Sequence, residues 1–278
     1  MKGSTPRSPR QKPRSGPSER APRGRRGRAL GDAAAAAHDS VGLCSRPFDL
    51  DLSDPCYDPS GDRRAPKTDE AERCRSILDA LLRPAWPAEA AGWSAALIAE
   101  FGSLPATLAV GTNDRARIIG AAPARFLAKV QAGLLHCLRL PLSGRPVITT
   151  SGQLLDYLKT DMANLLNERF RVLFLTSQNE LMADDLVWEG TVGEAPAYPR
   201  EIVKRALEVG ATGIILVHNH PSGSHQPSQG DIDATRRIAL AASMLGICMH
   251  DHIVISRAGW SSFRMLGHLA ALDPSAAD

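Results

Sequence analysis

The feature that most constrains this chain is the apolar run Ile214-Ile215-Leu216-Val217, which ends directly in His218-Asn219-His220-Pro221-Ser222-Gly223. A short apolar run that starts at Gly213 and stops at a histidine, with turn residues beyond, reads as a strand buried on both faces. Such a strand needs helical cover, and its flanks supply it. Apolar positions at helical spacing run from Pro199 to Val209 before it and from Ser228 to Leu245 after the polar loop. Upstream, a helix carrying Leu154, Leu155, Leu158 and Met162 leads into a strand over Arg169 to Leu175. A Ser-Gln-Asn turn joins that strand to another near Leu181 to Val192. Downstream, Ile247 to Ser256 and Trp260 to Met265 read as a hairpin around Ala258-Gly259. The expected fold class is α/β, a mixed sheet with flanking helices over residues 146–269.

The preceding residues have a different character. Over 68–142, Ile77, Leu78, Leu81 and Leu82, then Ala96, Leu97 and Phe101, then Phe126, Val130, Leu134 and Leu138 recur at helical spacing, with Pro and Gly between the groups. This predicts a small bundle of about four short helices, and Ser143 to Val147 reads as a linker. Residues 1–67 alternate Pro, Gly, Ser and Arg and hold too little apolar surface to offset an ordering entropy of about 1–2 kcal/mol per residue, so a disordered tail is expected.

Charge separates the same regions. Residues 1–30 carry ten Lys or Arg and one acid, a balance of +9, so the net +3 of the chain leaves −6 for the rest. A basic tail can touch nucleic acid phosphates, a salt-sensitive contact without sequence information; a solvated tail is the expectation, with nonspecific DNA contact through it as the alternative. No stretch approaches the roughly 18 apolar residues of a membrane span, and no apolar run follows the basic N-terminus. The five scattered cysteines include no C-x-x-C pair. A cytoplasmic protein with reduced thiols and no membrane partner is expected.

His218 and His220, two apart at a strand exit, project to one side and can hold one metal ion. Asp231, at the third position of a helix capped by Ser228, is the expected third ligand. Two imidazoles, one carboxylate and no thiol describe a catalytic zinc site with a fourth position open to water, not a closed structural one. His225, in the same loop, lacks a partner at ligand spacing and is expected to face solvent. His250 and His252 repeat the spacing around Asp251 inside a strand, where hydrogen bonding within the sheet is expected. Bound zinc acidifies water, and amide hydrolysis also needs a base to move its proton. Glu168, Glu180 and Glu189 are the candidates, and periodicity does not choose among them.

His218-x-His220-Pro221-Ser222-Gly223 with Pro227-Ser228-x-x-Asp231 resembles the JAMM motif of MPN-type metalloproteases. The run Tyr198-Pro199-Arg200-Glu201, then Arg205-Ala206-Leu207, the His-x-His segment and Asp251-His252 resembles, more narrowly, the bacterial RadC family. The resemblance covers roughly Ser143 to Gly267. It implies a JAMM/MPN-type, cytidine deaminase-like mixed sheet, one Zn2+ per chain on His218, His220 and Asp231, and hydrolysis of peptide or isopeptide bonds. It places the catalytic glutamate at Glu168, with Glu180 in reserve, and the oxyanion-bonding serine at Ser228, where helix capping competes for the hydroxyl. It also implies a helix-hairpin-helix-like bundle over 68–142, whose turn is Ile118-Ile119-Gly120 with Ile118 replacing the family's first glycine. The family name records a suspected role in DNA repair, so a DNA-associated accessory protein with a non-proteolytic metal domain is the alternative. A zinc deaminase is excluded, since its H-x-E and P-C-x-x-C signature is missing.

Overall fold

The computed structural model describes residues 68–144, 146–147, 151–190 and 198–269. The disordered tail expected over 1–67 lies outside them, as do residues 191–197, part of the segment after the second strand.

The first part of the described chain is helical: α1 (Thr68–Leu82), α2 (Ala90–Phe101), α3 (Leu104–Ala109), α4 (Thr112–Ile119) and α5 (Ala121–Arg139). They close around Leu78, Leu82, Leu97, Leu108, Ile119 and Leu127. Five helices stand where about four are expected, because Gly102 and Pro105 do not keep the chain irregular between α2 and α4. Pro105 lies in the first turn of α3, where its missing N–H has no bond to lose, and Ser103 caps that turn by accepting from the Ala106 N–H at 3.3 Å. The Ile118-Ile119-Gly120 turn joins α4 to α5. Gly120 takes φ +82°, which favours glycine, while Ile119 is buried and Ile118 packs against the same core.

The segment read as a linker is tied to the sheet. Leu142 and Val147 are fully buried, the Val147 N–H donates to the Asn179 carbonyl at 2.8 Å, and Pro146 bridges to Glu180.

Beyond it come α6 (Ser151–Met162), β1 (Glu168–Leu175), β2 (Leu181–Gly190), α7 (Pro199–Val209), β3 (Gly213–Asn219), α8 (Gln229–Ser243), β4 (Cys248–Ser256) and β5 (Gly259–Ser262). The strands form one mixed sheet in the order β2-β1-β3-β4-β5, parallel between β3 and β4 and antiparallel elsewhere. Every residue of β3 is buried, as its apolar run requires. Phe170, Val172, Phe174, Ile214, Leu216 and Val254 face α7 and α8. Leu173, Leu175, Ile215, Val217, Ile253 and Ile255 face α6 and Trp260. The sheet is therefore the middle of three layers, and the centre of β3 cannot shift register without exchanging two apolar faces. No helix among the described residues is long and apolar enough to cross a membrane.

One polar cluster is built into the α6 face. Arg171 pairs with Asp161 of α6 and with Asp184 of β2, and the Tyr157 hydroxyl donates to Asp184 at 2.7 Å. The Asp184 side chain is fully buried, so removing its cation leaves a charge with no water. Arg171→Ala is expected to lower stability by about 3–5 kcal/mol in urea unfolding. Arg75→Ala, which breaks an exposed pair with Glu72, is expected to change it by less than about 1 kcal/mol.

Candidate metal centre

β3, the middle strand of the sheet, carries His218 near its carboxyl end, and a tight turn follows at His220. The Gly223 N–H donates to the His220 carbonyl at 3.0 Å, with Gly223 at φ +92°. That turn sets the Ser224 carbonyl 3.0 Å from His220 Nδ1. A carbonyl only accepts, so His220 Nδ1 carries a proton and donates it. Its Nε2 then faces His218 Nε2 at 2.9 Å.

Asp231 arrives from α8, whose start is fixed by a capping box. The Ser228 hydroxyl oxygen accepts from the Asp231 N–H at 3.1 Å, and Asp231 Oδ2 accepts from the Ser228 N–H at 2.7 Å. The Ser228 hydroxyl also donates to Oδ2 at 2.6 Å. The same carboxylate that caps the helix thus points at the histidines. Its Oδ1 lies 3.4 Å from His218 Nε2 and its Oδ2 3.4 Å from His220 Nε2. Burial disfavours the Asp231 charge, but the two histidines and the Ser228 hydroxyl beside it outweigh that and hold the carboxyl well below the usual carboxylate range. Burial also works against a charged His220, yet the bond to Asp231, its charge, the Ser224 carbonyl and the Glu168 charge together raise its pKa. The spot seeks a cation.

The donor set fits a metal ion. His218, His220 and Asp231 are the His/Cys/Asp/Glu group of the described residues whose ligand atoms gather within 4.8 Å of one another. Bonds of about 2.0–2.1 Å meeting at the tetrahedral angle separate ligand atoms by roughly 3.4 Å, which is the spacing between Asp231 and each histidine. His218 is almost wholly buried, while His220 and Asp231 keep 17% and 18% of their side-chain surface, so the open side of the site lies by those two.

The three candidate glutamates separate by strand geometry. In the antiparallel pairing of β1 with β3, Phe170 stands opposite His218, and their rings stack at 6.3 Å. Glu168 lies two residues before Phe170, on the same face of β1, and its charge acts on the His220 ring. Glu189 stands opposite Arg169 and pairs with it at 3.1 Å, on the face turned away. Glu180 follows the turn at the far end of β1, near the start of β3, roughly 17 Å along the strand from His218.

Two histidines depart from expectation. His225 is buried, because the Ser261 hydroxyl donates to its carbonyl at 2.5 Å and holds the loop against β5. His252 bonds through its ring to the site rather than within the sheet: its Nε2 lies 2.8 Å from His218 Nδ1. Complete burial, with the neighbouring His218 ring next, pushes its pKa well below the usual imidazole range. Asn219, between the two histidines, also has a task that the motif does not disclose. Its Oδ1 accepts from the Arg169 N–H at 2.8 Å and its Nδ2 donates to the Asn167 carbonyl at 3.1 Å, so it clamps the start of β1, and with it Glu168, to the end of β3.

Residues 148–268 match the family described as RadC-like JAB domain. A UPF0758 protein of Rhodobacter capsulatus is 48% identical over 151 residues, which cover 54% of this chain and 71% of that one. A UPF0758 protein of Ruegeria pomeroyi is 42% identical over 175 residues, covering 62% of this chain and 78% of that one.

Asn219→Ala removes one acceptor and one donor from half-buried backbone groups and is expected to lower stability by about 1–3 kcal/mol in urea unfolding. Asn219→Asp, which keeps the acceptor for the Arg169 N–H, is expected to lose less.

Proposed function

The chain belongs to the RadC family of JAB-domain proteins, and from that premise we propose that it is a zinc-dependent hydrolase of peptide or isopeptide bonds. The observation that carries this reading is the convergence of one ligand atom each of His218, His220 and Asp231 within 4.8 Å, with the Glu168 charge acting on His220. Nitrogen and oxygen donors without a thiol favour Zn2+, one ion per chain, with a coordination position left open. When bound, the ion supplies Lewis acidity and lowers the pKa of water toward neutrality.

The chain's own groups have separable tasks in this reading. Glu168 takes a proton from the attacking water on its carboxylate and returns it to the departing amine, as a base that then acts as an acid. Asn219 keeps that carboxylate in place through the backbone on either side of it. His218, His220 and Asp231 would hold the ion. Ser228 is proposed as the hydroxyl that bonds the developing oxyanion. Its proton goes to Asp231 Oδ2 in the structure, so this task requires the hydroxyl to turn from the ligand to the substrate. The DNA-associated reading rests on the basic tail, which lies outside the described residues, and on the helical bundle of α1 to α5.

Elemental analysis of the purified chain is expected to give one zinc per chain, and His220→Ala and Asp231→Ala are expected to lose it. Full zinc in both variants would sink the assignment. Glu168→Gln is expected to keep its zinc while its hydrolysis of an isopeptide-linked substrate falls about 10²–10⁴-fold. Unchanged turnover in that variant would remove Glu168 from the reaction.

A further inference from the structure

We propose that His252, backed by Thr235, is the positioning residue of the metal centre: it accepts the Nδ1 proton of His218 and so turns the Nε2 lone pair of that ring toward the ion. The proposal rests on the metal reading above and deepens it.

The direction of every proton in this arrangement follows from its neighbours. Thr235 Oγ1 lies 2.6 Å from the backbone carbonyl of Asp231 and 2.6 Å from His252 Nδ1. The carbonyl can only accept, so the single hydroxyl proton goes to it, and His252 Nδ1 is the donor to Thr235. A neutral imidazole protonated on Nδ1 has its lone pair on Nε2. His252 Nε2 is 2.8 Å from His218 Nδ1, so His218 Nδ1 carries the proton between them. His218 Nε2 is left as an acceptor, and it is the atom that faces His220 Nε2 and Asp231. The relay starts at the backbone of one ligand on α8 and ends at the ring of another on β3, with β4 supplying the middle member.

A metal-bound histidine commonly donates its second ring proton to a carboxylate, a carbonyl or water. Here the acceptor is an uncharged ring. Phe263 stacks on it at 4.5 Å and Phe170 meets it edge-on at 5.7 Å, so its orientation is set by packing. An uncharged acceptor orients His218 without adding negative charge to the site, which leaves the ion more of its charge to act on a carbonyl. The parallel pairing of β3 with β4 makes this contact available, since His252 stands beside Leu216, two residues before His218 on the same face.

The first test reads the rings in the metal-free chain. Long-range ¹H–¹⁵N correlation spectra, recorded where His218 and His252 are neutral, are expected to show both as Nδ1–H tautomers. His218 as the Nε2–H tautomer overturns the relay. The second test measures zinc affinity against a competing chelator, with metal-free thermal unfolding as the folding control. His252→Leu, which suits the aromatic surroundings but accepts nothing, is expected to weaken zinc binding about 10–100-fold. His252→Gln, whose Oε1 can accept the same proton, is expected to recover most of that loss. A leucine variant that binds as the wild type does, or a glutamine variant as weak as the leucine one, overturns the proposal. If His252→Leu does not fold, Thr235→Val decides, with weaker zinc binding expected and unchanged affinity contradicting the relay. A wild-type chain that takes up no zinc refutes the metal reading itself, while the ring tautomers still report on the relay separately.

Discussion

The arrangement depends on the antiparallel register of β1 against β3, in which Phe170 stands opposite His218. Fifty residues separate Glu168 from His218 in the chain, and no local preference brings them together. The register is held because β3 is buried on both faces and β1 contributes alternate residues to two different cores. A slip of one residue would drive Phe170, Val172 and Phe174 toward α6 and turn Glu168 away from the histidines. The proposed chemistry is thus a consequence of core packing: the interactions that place the base are those that make the sheet a stable middle layer.

The site also uses one side chain for two structural ends. Asp231 completes the capping box of α8 through Oδ2, and its carboxylate faces both histidines. A helix start favours negative charge, so the carboxylate is stabilised by its own backbone before it meets an ion. Ser228 shares in this, because its hydroxyl both caps the helix and donates to Asp231. Fold and ligand set are therefore hard to separate experimentally at these two residues. Glu168 and His252 give cleaner access, since neither closes a helix end.

Much of this was legible in the sequence where the signal is local. The apolar run before His218, the His-x-His spacing at its exit and the carboxylate three residues past a serine cap disclose the three side chains that gather, because strand alternation and helix capping act over a few residues. The choice among Glu168, Glu180 and Glu189 was not legible from the residues, because it is made by strand pairing. His252 was hidden for a related reason: a histidine inside a strand looks the same whether its ring meets the sheet or a ligand, and only the neighbouring parallel strand distinguishes the two. The burial of His225 is not legible locally, because Ser261, 36 residues later, fixes the loop that carries it. Pro105 stood in a helix's first turn, where proline signals a start as readily as a stop.

The central claim is that two imidazoles and one carboxylate, with no thiolate, form the metal centre of this domain. X-ray absorption at the zinc edge of the loaded chain tests it most directly. The account predicts nitrogen and oxygen neighbours at about 2.0–2.1 Å, with the outer scattering of two imidazole rings and no sulfur. A shell at about 2.3 Å, the distance of a thiolate ligand, or a centre without imidazole scattering would contradict it.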